Sequence, residues 1–479
     1  MKPKNRTFTR TIIFFSLLLY ACKNGNALEP ISSYEDLDVG GGVVTLPDVS
    51  LDLENAFFDD FLDGVSYDDW IIGNGAWGNG NGGVVPDNVF YTEDGILLLR
   101  GNGEYYAKGE VKGVGTLKDG RNTGSVIITR FQTRPGHYDV KMKPIPRLGA
   151  CTAFWTYTNR PSSIYSDNDN HEIDIELPGG KTKNAISFKN VLNTNYITEP
   201  LNISKDVVIA DATGGETINL NDGKFHTFGF DWYTDPEVVI YFIDGKITAI
   251  TDGFVPTLES RLWLGNWFPN NAGFVGLSQF ETDYMMVDWF KYIPFLDQPY
   301  ESTTVDISVA GASENQYPTN PVVLPEVNPV ANGDFEYTTL VEDYTKYGWG
   351  FGKLSGYSVD VKDVCYLDVN GGKDNTTGAV IKNGGYLSSA IDCIYEGQKQ
   401  TLEFDAKTDA SQAIAIVRYR DSSGAKLLDE RIDLAAGNDF VHYTHEINPP
   451  VDTYSVLLQF YSLDTNQVTT YVDNVMITR

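Results

Sequence analysis

The chain has 479 residues, with 36 Lys and Arg against 65 Asp and Glu and a formal net charge of -29. That length accommodates two or three domains with ample cores. So acidic a balance argues against nucleic acid as a partner, because phosphate binding needs a basic surface, and it disfavours a heavily sulfated substrate. Glycine is frequent (46) and aromatic residues make up 13%. Short alternating runs are punctuated by Gly, Asn, Asp and Pro, and long amphipathic helical periods are absent, which predicts an all-β chain.

The chain opens on a basic leader, "MKPKNRTFTR", and an apolar stretch, "TIIFFSLLLYA", short for a membrane span. Cys22 follows at once in "LLYAC", which resembles a bacterial lipobox despite the bulky Tyr20. The expectation is a lipoprotein signal over residues 1–22, lipidation at Cys22, and export to the bacterial cell envelope on a lipid anchor, at the outer membrane or cell surface. An ordinary cleaved secretory signal is the alternative. A polar, Gly-containing tether is expected over 23–50.

From "NAFFDDFLDGVSYDDW" to "MMVDWFKYIPF" runs a series of strand-like segments separated by turn signals such as "EDG", "NDG" and "IDG". This predicts antiparallel hairpins in a first β-sandwich over 51–297. Cys151, in "GACTAFWTY", reads as a small core residue.

"HEIDIELPG" places Glu172, Asp174 and Glu176 at every second position, alternating with Ile173, Ile175 and Leu177. On a strand all three acids share one face. Like charges so close are mutually costly and raise at least one pKa. Retaining glycosidic hydrolysis uses such a pair, a carboxylate nucleophile and a carboxylic acid about 5–5.5 Å apart. Residues four apart on a flat strand are separated by about 13 Å at Cα, so the two Glu must lean together over the Asp, most easily on a curved sheet. A solvated acidic face or a metal site is the competing reading.

The surrounding "GACTAFWTYTNRPSSIYSDNDNHEIDIELPG" resembles the active-site region of family 16 glycoside hydrolases, particularly the lichenase type. "GHYDVKMKP", "FHTFGFDWYTDPEVVIYFIDGK" and "MMVDWFKYIP" resemble other strands of that family, in order, over roughly 53–295. The resemblance implies a concave β-jelly-roll catalytic domain, with Glu172 as nucleophile, Asp174 as assistant and Glu176 as acid/base, and no cofactor for catalysis. Lichenase-type enzymes carry Trp two residues before the first Glu, where this chain has Asn170. Sugar stacking is then expected from Trp155, Tyr157, Trp263 and Trp267, with Asn266 in the cleft-lining segment "RLWLGNWFPNN". Trp232 and His226 read as structural. No residue is inserted between Asp174 and Glu176, which favours the unbulged, lichenase-like and xyloglucan-active branch over bulged relatives. Lys181, Lys183 and Lys189 read as loop charges.

A Pro-containing stretch over 298–330 reads as an interdomain linker. Residues 331–479 read as a second, smaller β-sandwich. Its "NPVANGDFEY" and "VDNVMITR" resemble carbohydrate-binding jelly rolls. That resemblance makes Trp349, Tyr357, Tyr366 and Tyr386 stacking candidates and leaves room for a structural calcium ion near Glu336 and Asp473. Cys365 and Cys393 are a candidate disulfide in an oxidising compartment. The whole implies a monomeric, endo-acting β-glycanase whose partners are a polysaccharide and the membrane. β-Glucan such as 1,3/1,4-glucan is favoured and β-galactan is open. A non-catalytic glycan-binding surface lipoprotein, or a transglycosylase using the same residues, is the alternative.

Overall fold

The computed structural model describes residues 37–38, 43–44 and 48–478, apart from 79, 107–108, 162–167, 179–189, 198–200, 209–219, 221, 304–308, 338–348, 392–398, 422, 454 and 465–466. Cys22, Cys393 and the three loop lysines therefore lie outside the described residues. The chain divides into Met1–Val49, in which Leu37–Asp38 pairs with Val43–Val44, and Ser50–Arg479.

The second unit is nearly all β, as its alternating runs predict. Its first sandwich packs two antiparallel sheets. One sheet runs, neighbour to neighbour, through Asn202–Val208, Asn190–Ile197, Asn168–Pro178, Cys151–Pro161, Arg261–Trp267, Thr123–Thr129 and Trp70–Asn74. The opposing sheet runs through Lys246–Thr251, Glu237–Ile243, His226–Thr234, Gly136–Lys143, Thr282–Pro294, Leu97–Asn102 and Val89–Tyr91. Ile173, Ile175 and Leu177 enter the core between them with Phe154, Phe230, Trp232 and Phe290. The core thus takes every second residue of the acidic strand and leaves the acids on the other side.

Turn chemistry behaves as read. In "IDGK", Asp244 (φ 51°) and Gly245 (φ 73°) are both left-handed, the geometry of a two-residue hairpin whose twist matches its strands. The Asp244 carboxylate accepts from the Thr227 amide at 2.8 Å and lies 2.7 Å from His226 Nδ1. His226 therefore pins a hairpin, the structural role expected of it. Trp232, fully buried, donates its indole N–H to the Pro256 carbonyl.

Among the described residues the second sandwich has two five-stranded sheets around a core of its own. Several expectations there are corrected. Trp349 is 1% exposed, packs on Phe335 and Phe460, and donates to the Asn332 carbonyl, so it is core and cannot stack on a sugar. Tyr366 lies on one sheet and Tyr386 on the other, and Tyr357 covers Gly384, so the four do not make one platform. Glu336 accepts from the Thr377 amide, and Asp473 accepts from the Lys373 amide and the Thr376 hydroxyl. These acids brace the 373–377 turn with N–H and O–H donors. Among the described residues no group of three or more His, Cys, Asp or Glu gathers to hold a metal. Cys365 is a buried free thiol.

The Pro-containing stretch is no loose tether where it is described. Ala310–Gly311 pairs with the edge strand Trp70–Asn74. Tyr317, 7% exposed, donates its hydroxyl to the Trp70 carbonyl at 2.9 Å. Near its end, buried Arg147 donates to the carbonyls of Asn328 and Pro329 and pairs with Asp283 at 2.7 Å. Buried anchors seat this stretch.

Candidate active site

The acidic strand pairs with Cys151–Pro161 in unbroken register, with Glu172 opposite Tyr157, Asp174 opposite Trp155 and Glu176 opposite Ala153. Its other neighbour pairs just as continuously from His171 to Glu176. There is no bulge, so the side-chain period of two is preserved and all three acids emerge on one face. They line a cavity of about 240 Å³ with Trp77, Ala153, Trp155, Tyr157, Trp263 and Trp267.

Asn170 Nδ2 donates to Glu172 Oε2 at 3.0 Å. Burial raises the Glu172 carboxyl above the usual carboxylate range, while hydrogen bonds from Asn170 and Asp174 oppose that. Asp174 is pushed much further up by burial and then by the charges of Glu172 and Glu176. Of these two acids Asp174 is pushed further toward its protonated form, in which it donates to Glu172. Cys151, fully buried as expected of a core residue, also has a role the sequence did not suggest. Its thiol lies 3.8 Å from Glu176 Oε1, with its pKa pushed far up by burial and by that carboxyl. It is a neutral neighbour to Glu176.

The aromatic residues separate by depth. Trp155 and Trp263 are 8% and 2% exposed and stack on each other at 5.4 Å, forming the floor. Tyr157 and Trp267 are half-buried and present surface to the cavity. Asn266 is not brought to the cleft. It is 1% exposed, and its amide donates to the Leu99 carbonyl at 3.0 Å and to Ser125 Oγ at 3.3 Å across the core. Trp263, Gly265 and Trp267 face the cleft and alternation turns Asn266 the other way. His171 is likewise structural: its Nδ1 accepts from the Thr257 amide at 3.0 Å.

Trp77 was missed. Its ring centroid lies 5.8 Å from that of Trp267, 6.1 Å from Trp263 and 6.4 Å from Trp155. It is half-buried and arrives on the loop "GNGAWGNGNGG" between two strands far from the acids in sequence. A lone Trp in a Gly/Asn loop, with no strand to bury it, was the available signal.

Residues 100–280 match the family model of glycosyl hydrolases family 16. The chain is 28% identical over 231 residues to the beta-glucanase of Paenibacillus macerans, covering 45% of this chain and 81% of that one. It is 29% identical over 171 residues to the beta-glucanase of Paenibacillus polymyxa, covering 33% of this chain and 58% of the relative, a little over half of its length. Among solved structures, the Bacillus licheniformis beta-glucanase matches with a TM-score of 0.38 and 21% identity, over 50% of this chain and 97% of that one. Family match and relatives together make the chain a glycoside hydrolase acting on O-glycosyl bonds, one that resembles family 16 in its lichenase-like, unbulged form.

Proposed function

We propose that the chain is an endo-acting, retaining β-glycanase, with a β-glucan such as 1,3/1,4-glucan as its favoured substrate. The observation that carries the mechanism is the unbroken register that puts Glu172, Asp174 and Glu176 on one face of a Trp-lined cavity. The Glu172 carboxylate attacks the anomeric carbon as the glycosidic C–O bond breaks, and Glu176 gives its proton to the leaving oxygen. A glycosyl ester on Glu172 results. Glu176, now ionised, takes a proton from water, whose oxygen displaces Glu172 from the anomeric carbon and restores both carboxyls. Protonated Asp174 hydrogen-bonds Glu172 and lets two ionisable groups sit beside it without a third negative charge. The similar Paenibacillus proteins are beta-glucanases, which supports the choice of substrate.

The lipobox-like "LLYAC" supports a companion proposal, that the enzyme works outside the cytoplasm on a lipid anchor at Cys22. Labelling with radioactive palmitate tests it. Label on the wild type that is lost in Cys22→Ala supports the anchor, and no label on either refutes it.

For the activity, purified protein and Glu172→Gln are incubated with mixed-linkage glucan, laminarin, xyloglucan, and neutral and sulfated galactans, and oligosaccharide release is followed. Release from mixed-linkage glucan that falls at least about a thousandfold in the variant supports the reading. Release that survives the substitution overturns the assigned nucleophile. Release from another glycan alone overturns the substrate.

A further inference from the structure

Beside the active-site cavity lies a larger one, of about 380 Å³, that the reaction as described does not use. Its volume falls within the range of small-molecule sites, roughly 300–1,000 Å³. The two cavities share their backbone segments. Trp77 and Trp267 line the first, and Gly80 and Phe268, on the same loop and the same strand end, line the second. The second sandwich contributes as well, through Tyr337.

The junction is fixed rather than loose. The Tyr337 ring sits 4.2 Å from that of Tyr105. Its hydroxyl donates to Glu104 Oε1 at 3.4 Å, and Glu104 also accepts from Asn122 Nδ2 at 2.8 Å. Buried Arg147 ties the entering chain to the first sandwich at Asn328 and Pro329. Gly80, with φ +82°, lets the Asn270 side chain cross its backbone where a Cβ would lie within 2.6 Å of the amide carbon.

The lining states what the cavity would take. It has one carboxylate, Glu104, the amides of Asn122, Asn270, Asn271 and Gln279, and the rings of Phe268 and Tyr337, with no Lys or Arg. Glu104 is already paired with the Arg121 guanidinium, so the described lining offers neither a phosphate, sulfate or uronate nor a cation an unmatched charge. Amides and a carboxylate beside aromatic carbon suit a neutral ligand rich in hydroxyl groups. Resting on the glycanase reading, we infer that this cavity is a remote subsite for neutral sugar residues of the same glycan chain, held jointly by the two sandwiches. A long substrate crosses from the acids past Trp77 and Trp267 into it, and a short one does not reach.

The test uses the full chain and two variants, Asn270→Ala, at an exposed side chain, and Gln279→Ala, with thermal unfolding as a check on folding. Rates are measured on polymeric mixed-linkage β-glucan and on a short aryl β-glucoside of a disaccharide. The expected result is a loss of about tenfold in kcat/KM on the polymer, with the short substrate within about twofold of wild type. Equal losses on both substrates, or no loss on either, overturn the subsite while leaving the glycanase reading in place. Wild-type protein silent on the polymer overturns the substrate reading and the subsite with it.

Discussion

Asn170 Nδ2 donates to Glu172 Oε2 at 3.0 Å from the same face of the same strand, two residues upstream. Where the lichenase-type enzymes that this chain resembles carry Trp, this chain has an amide that hydrogen-bonds Glu172, the proposed nucleophile. A bond to the ionised carboxylate favours the charged form and lowers its pKa. Asn170→Ala should therefore raise the Glu172 pKa and move the acidic limb of the kcat/KM profile upward by about one pH unit, the size of a charge-assisted hydrogen bond. A pH–rate profile of the variant checks this; an unmoved or downward-moved limb contradicts it.

Burial and the charges of two neighbouring carboxyls push the Asp174 pKa well up and favour its protonated form. An amide reproduces that neutral donor. Asp174→Asn is expected to retain more activity than Glu172→Gln, losing about a hundredfold in kcat. The contrast is read from kcat of the two variants on one substrate. A loss at Asp174 equal to that at Glu172 would mean that the central acid must ionise.

Glu176 is assigned the proton that the leaving oxygen needs. A leaving group that departs without protonation should be indifferent to it. Glu176→Ala should lose about 10²–10⁴-fold on a polysaccharide and markedly less on a dinitrophenyl glycoside in the glycosylation step, followed by the burst of dinitrophenolate. Equal losses on both substrates would remove Glu176 from the acid/base role.

Trp77 presents a half-buried ring to the cavity from a Gly-rich loop. Its contact with sugar should be alike in ground and transition states. Trp77→Ala is expected to raise KM by about three- to tenfold, the weight of one aromatic contact, with kcat nearly unchanged. Steady-state kinetics separate the two; a fall confined to kcat would place the ring at the chemistry instead.

His137 lies 2.7 Å from both Asp231 Oδ1 and Asp139 Oδ2, far from the cleft acids in sequence. Burial works against its charge, but the two carboxylates outweigh burial and its pKa is pushed up to about 9 from 6.5. His226, between Asp222 and Asp244, is shifted the same way against the same opposition, also to about 9. Folded pKa values above the unfolded ones make the contribution complete below about 6.5, and it is lost as pH rises through about 9. Urea unfolding at a series of pH values should show stability falling across that window, with a shallower fall in His137→Gln. A stability that rises there would contradict the charged state.

The acidic triplet, its alternation with core residues and the absence of a bulge were all legible in "HEIDIELPG", because strand periodicity is a local property of the chain. So were the "IDGK" hairpin and the all-β class, which depend on residues near one another in sequence. Other features required the fold. Asn266 and Trp267 are adjacent and equally plausible as cleft residues, and only the pleat of the strand sends one into the core and the other to the cavity. Trp349 was a stacking candidate through the resemblance to carbohydrate-binding jelly rolls, and only the fold shows that its side of the sheet is covered. Trp77 joins Trp155, Trp263 and Trp267 from a loop remote in sequence, and the Pro-containing stretch becomes an anchored strap through Tyr317 and Arg147. Local chemistry determined which residues can do the reaction; long-range packing decided which of them meet.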